Sequence, residues 1–136
     1  MFEFHGWAVV RYDTHDTDEA DQRHALDAVL SLARGHGQRS LITSFRHNGC
    51  EGLAWNGQHN RRRDGWPVEL LKQIAELAPG SYGVLYVIDD EAVAAEDRNA
   101  FRVWVLRRGS VSEQADQLLS PFVPRCEDRY DPSRED

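Results

Sequence analysis

The chain has 136 residues and a formal charge of −7, from 23 carboxylates against 16 lysines and arginines. That length fits one domain, with a core burying about two-thirds of the unfolded surface. The acidic balance argues against an electrostatic grip on nucleic acid or anionic lipid, both of which need clustered positive charge, and permits a basic protein partner.

Phe2, Phe4, Ala8, Val10 and Tyr12 alternate with Glu3, His5, Trp7 and Arg11, which predicts a first strand with Gly6 on its apolar face. Glu3, His5 and Arg11 interrupt any apolar N-terminal run. No stretch approaches the ~18 apolar residues of a membrane span, so the cytoplasm is the expected location. In the turn that follows, Asp16 or Thr17 is the expected N-cap, with Glu19 and Asp21 in the first helical turn. Leu26, Val29, Leu30 and Ala33 form one buried stripe, and Gly35 and Gly37 end the helix.

Leu41 to Phe45 and Glu51 to Trp55 read as strands joined at His47-Asn48-Gly49, the second closed by Asn56-Gly57. A polar loop contains the only basic run, Arg61-Arg62-Arg63. Pro67 opens a second helix with an apolar stripe at Leu70, Leu71, Ile74, Leu77 and Ala78, stopped by Pro79-Gly80. Tyr82 to Ile88 is apolar on both faces and reads as a central strand covered on both sides. Asp89 to Asp97 is an acidic loop, and Phe101 to Leu106 is a fifth strand ended by Arg107-Arg108-Gly109. A short helix is expected around Glu113 to Leu119, and Pro121 and Pro124 enforce an extended path. The domain is expected to span 1–126, with 127–136 an acidic, disordered tail.

The order β-α-β-β-α-β-β predicts an α+β fold. One mostly antiparallel sheet of about five strands carries two helices on one face, in a ferredoxin-like arrangement with an added strand.

Chemistry-bearing patterns are sparse. The six histidines fall into no zinc-type spacing. His15 lies among Asp13, Asp16 and Asp18, an oxygen-rich set that reads better as a solvated, helix-capping turn. His47, Cys50 and His59 could form a thiol or metal site, so a small enzyme or ligand-binding domain is the alternative function. Cys50 and Cys126 read as two reduced thiols, although one bridge between them is conceivable. There is no GxGxxG or P-loop, and the GSYG after the second helix faces the wrong end of a helix for an anion.

Two acidic clusters stand out. Asp13, Asp16, Asp18, Glu19 and Asp21 form one, and Asp89, Asp90, Glu91, Glu96 and Asp97 the other, together ten of the 23 carboxylates. They suit either a solubilising rim or the steering of a basic partner. Trp7 and Trp104 occupy the less apolar faces of their strands, where they serve as aromatic anchors if no helix or C-terminal segment covers that face.

Five segments, FEFHGWAVVR, NGQHNRR, APGSYGVLYVIDDE, NAFRVWVLRRG and DQLLSPFVPRCED, occur in this order across residues 2–128. Together they resemble the seventh numbered family of bacterial polymorphic-toxin immunity proteins. The chain departs from that family's pattern at Arg61, where the family has a second histidine. The resemblance implies a non-enzymatic, cofactor-free protein that binds the toxic domain of a cognate secreted toxin and occludes its active site or substrate path. The toxin implied is a basic protein, in many such systems a nuclease. The partner contacts expected on charge and exposure are Asp13, Asp16, Asp18, Asp89, Asp90, Glu91, Glu96, Asp97, Trp7 and Trp104. The free chain is expected to be a monomer or weak dimer.

Overall fold

The alternating N-terminal run forms β1 (Phe2–Val9), and Phe2, Phe4 and Ala8 are buried along its core face. The computed structural model describes residues 1–36, 41–60 and 65–134. Tyr12 lies beyond the strand and is exposed. The Gln22 side chain takes over where the strand pairing stops: it accepts from the Tyr12 amide and donates to the Val10 carbonyl, both at 2.9 Å.

Helix α1 (Glu19–Gly35) is capped by Asp18, whose Oδ1 accepts from the amides of Ala20 and Asp21. The cap falls past Thr17 because the Thr17 hydroxyl accepts from the Asp13 amide at 3.2 Å and is committed to the turn. The expected stop at Gly37 lies outside the described residues.

Strand β2 (Ile42–His47) turns through Asn48 and Gly49, at φ 50° and 80°, into β3 (Cys50–His59). Positive φ at both central residues is the hairpin geometry that matches strand twist. Asn56-Gly57 lies inside β3 and does not close it. Gly57 faces Phe4 across the ladder, and a Cβ there would sit 2.7 Å from Phe4 Cζ, so the glycine serves close packing.

Helix α2 (Trp66–Leu77) starts with Pro67 in its first turn and buries Leu70, Leu71 and Ile74, while Leu77 is exposed. Trp55 of β3 is fully buried, and its indole N–H donates to the Pro67 carbonyl at 3.2 Å, tying sheet to helix. Trp66 stands edge-on to Phe4 at 5.2 Å.

Strand β4 (Tyr82–Asp89), a 3-10 turn (Ala95–Asn99) and strand β5 (Arg102–Arg107) follow. Arg108 and Gly109, at φ 49° and 71°, form a second two-residue turn into β6 (Ser110–Ala115). This strand replaces the expected helix at 113–119. Its sequence SVSEQA holds helix formers, but β5 supplies a ladder partner at every position from Arg102↔Ala115 to Arg107↔Ser110.

The sheet order is β2-β3-β1-β4-β5-β6, with every neighbouring pair antiparallel. Its first four strands reproduce the ferredoxin-like βαββαβ order, and the β5–β6 hairpin extends the β4 edge. Both helices pack on one face, against Phe2, Phe4 and Ala8 of β1, Leu53 and Trp55 of β3, and Leu85 and Val87 of β4.

The chain then crosses to the other face. Phe101 is edge-on to Tyr86 and to Phe122, at 5.8 and 6.0 Å. A brief helical stretch, α3 (Phe122–Arg125), interrupted by non-helical dihedrals at Val123, stands where an extended path was expected. Asn99 holds it by a reciprocal pair of bonds with the Val123 backbone, at 2.8 and 2.9 Å. Asp116 is buried and accepts from the Leu118 and Leu119 amides and the Ser120 hydroxyl, each at 2.8 Å. Burial pushes its carboxyl up, but these hydrogen bonds outweigh it and hold it below the ordinary value of 3.8.

Candidate protein-binding surfaces

The ten expected contact residues divide into two groups, because β1 and β4 separate the acidic loops. Val9 is opposite Tyr82 at one end of β1, and Phe2 is opposite Asp89 at the other. Eight strand residues at ~3.3 Å each put the loops about 25 Å apart.

The first group follows β1. Asp16 is exposed, with its Oδ2 4.0 Å from His15 Nε2. The Asp13 carboxylate accepts from the Thr14 amide at 2.7 Å, and the Gly80 amide donates to the Tyr12 carbonyl at 3.1 Å, fixing the loop against the start of β4. Asp18 is spent as the helix cap, and Glu19 pairs with Arg23 at 3.1 Å. Among the described residues, no three His, Cys, Asp or Glu side chains are grouped to hold a metal ion.

Trp7 lies nearby on the sheet face away from the helices. It is 42% exposed and meets the 40%-exposed Tyr82 edge-on at 6.2 Å. β4 is therefore not covered on both sides along its length: Phe101, itself packed on Phe122, covers Tyr86, whereas Tyr82 is left open. Tyr82 sits inside an apolar run, which masks its exposure in the sequence. Its adjacency to the Pro79-Gly80 stop was the available sign that it begins the strand near a sheet end.

The second group follows β4. Asp89 Oδ1 accepts from the Glu91 amide at 3.0 Å, the Asp90 amide donates to the Met1 carbonyl at 3.1 Å, and the Asp90 carboxylate pairs with the Met1 amine. Arg98 donates to the carbonyls of Ala92 and Val93, at 2.7 and 3.3 Å, and so folds the loop back on itself. Glu96 and Asp97 sit in the 3-10 turn.

Trp104 belongs to this group and not to the face that carries Trp7. It is opposite Leu85 on β4 and Glu113 on β6, and Leu85 is a core residue under the helices. Both sides of β5 are apolar, so alternation alone did not distinguish them. Lys72 of α2 lies over the ring, Nζ 5.4 Å from its centre.

Trp104 also lines a groove of about 670 Å³. Val68, Glu69 and Lys72 of α2 form one wall, Ala92, Val93, Ala94, Asp97 and Ala100 the other, and Val87, Arg102 and Trp104 contribute from the sheet. Arg102 is bonded to Glu113 at 2.9 Å. Val93 stands at the rim, 98% exposed.

The alternative site does not assemble. His47 pairs with Cys50 across the hairpin turn, but His59 is at the far end of β3 opposite Phe2. Nine steps of strand separate Cys50 from His59, about 30 Å. Both cysteines are free and exposed. The arginine run 61–63 lies outside the described residues. No helix among the described residues is long and apolar enough to cross a membrane.

A family model described as Immunity protein 7 matches residues 1–128. No curated protein and no solved structure matches the chain.

Proposed function

The chain belongs to the Immunity protein 7 family, and on that premise we propose that it is a non-enzymatic inhibitor that binds the toxic domain of a cognate secreted bacterial toxin one-to-one. The family match over residues 1–128 carries this reading. Binding takes place in the cytoplasm of the producing cell or its siblings and blocks the toxin's active site or substrate path.

The toxin is proposed to be a nuclease. A nuclease groove must attract a phosphate backbone, and a −7 protein with clustered carboxylates offers the complementary charge. The ten contact residues give the partner two surfaces. One carries Trp7 with Asp13 and Asp16, and the other carries Trp104 with the 89–97 loop. They are too far apart and too differently directed for one compact contact. One surface makes the main contact, and the carboxylates of the other steer the approach.

The alternative enzyme or metal reading loses its third residue, since His59 is remote from His47 and Cys50. The free chain is proposed to be a monomer or weak dimer, the latter through the edge strands β2 or β6.

Co-expression with the toxic domain encoded beside this chain tests the reading. Survival together with a co-purifying complex is the expected result. Cell death, with the toxin active, this chain folded and no complex formed, overturns it.

A further inference from the structure

Helix α2 packs across β1, β4, β5 and β6. The groove lies beside the first turns of α2, over the Arg102–Trp104 end of β5, and the 92–100 segment supplies its second wall.

Two properties of this groove point to one kind of occupant. Its sides carry four carboxylates, Glu69, Asp89, Asp97 and Glu113, against two cations, Lys72 and Arg102. Asp90, Glu91 and Glu96 extend the negative rim along the same loop. Its apolar surface includes an aromatic ring whose face already accepts a cation, since Lys72 lies 5.4 Å above Trp104. Carboxylates at the rim with an aromatic face inside complement an arginine or lysine whose stem lies on apolar surface.

We propose that this groove seats a basic segment of the toxic domain, with an arginine or lysine displacing Lys72 over Trp104 and meeting Asp97 and Glu69 at the rim. The proposal rests on the reading of the chain as a toxin-binding protein. It makes the groove the main contact and leaves Trp7 outside it.

The test is titration of the purified toxic domain into the full chain, at two salt concentrations, with thermal unfolding measured for each variant. Truncating Trp104 risks the fold, so the variants sit on exposed or wall positions. Glu69→Lys combined with Asp97→Lys, and separately Ala94→Trp, which fills the groove, are each expected to weaken Kd by about tenfold or more, because a desolvated charge contact or a blocked pocket costs that much. Lys72→Gln is expected to tighten binding by about two- to fivefold, because it removes the competing cation. Folded groove variants that bind within about twofold of wild type overturn the proposal and leave toxin binding intact. So does a loss carried by Trp7→Ala alone. A wild-type chain that does not bind the toxic domain overturns both readings.

Discussion

The Ser120 hydroxyl donates to the Asp116 carboxylate at 2.8 Å while accepting from the Phe101 amide at the same distance. This pair clamps the C-terminal crossing to the start of β5. The carboxylate also takes the Leu118 and Leu119 amides, so one buried side chain satisfies three donors. Replacing Asp116 by alanine strands those donors and is expected to cost about 1–3 kcal/mol, read as a lower urea midpoint with an unchanged slope.

The same carboxyl predicts a pH dependence. Its folded-state pKa is lowered from 3.8, so its contribution is fully present above about pH 4 and is lost as pH falls through the lowered value. The stability gap between wild type and Asp116→Asn is therefore expected to be constant from neutral pH down to about 4 and to shrink below it. A gap that widens on acidification contradicts the assignment.

Trp55 joins β3 to α2 by its indole bond to the Pro67 carbonyl and fills the centre of the core. Trp55→Phe removes both the donor and part of the volume. A loss of about 2–3 kcal/mol is expected. Near-native stability would mean that the Pro67 carbonyl and the core adjust without that bond.

Gly57 has no room for a side chain against Phe4. Gly57→Ala is expected to destabilise by about 1–3 kcal/mol through overpacking, whereas Gly49→Asn, at a turn position with φ of 80°, is expected to cost well under that. Chemical denaturation of the two variants side by side separates a packing glycine from a turn glycine.

The acidic loops lie about 25 Å apart, beyond the ~8–10 Å over which exposed charges act at moderate salt. Asp13→Asn with Asp16→Asn is expected to slow toxin association and flatten its salt dependence while leaving dissociation unchanged. Neutralising Asp89, Asp90, Glu91 and Glu96 is expected to change association as well. The two sets should combine additively. Stopped-flow association rates across a salt series check this, and strong non-additivity would indicate one shared contact.

Local pattern decided most of the fold. Alternation in β1, the 3.6-residue stripes of the helices and Asn48-Gly49 each act within a few residues, where steric preference and periodicity suffice. What escaped depends on partners distant in sequence. β6 has only Val111 turned toward the core-side contacts, so its strand state comes from the β5 ladder and not from its own residues. The side on which Trp104 lies depends on its pairing with Leu85. The groove was not legible because its walls come from α2, β5 and the 92–100 segment, which meet only in the folded sheet. The two acidic clusters were plain in the sequence, but their separation was not, since it follows from β1 and β4 running antiparallel.

The sheet order has a consequence for assembly of the chain. β1 stands between β3 and β4, so it alone joins the β2–β3 hairpin to the β4–β5–β6 meander. It is made before either, yet Phe2 waits for Asp89 before that side of its ladder closes. Each flanking piece can close through short loops, while the central strand depends on contacts far along the chain, which are the slow ones to form. Until the residues of β4 have been synthesised, β1 exposes an unpaired, apolar edge. The ladder between the two acidic loops is thus the one whose partners lie farthest apart in sequence, Phe2 with Asp89.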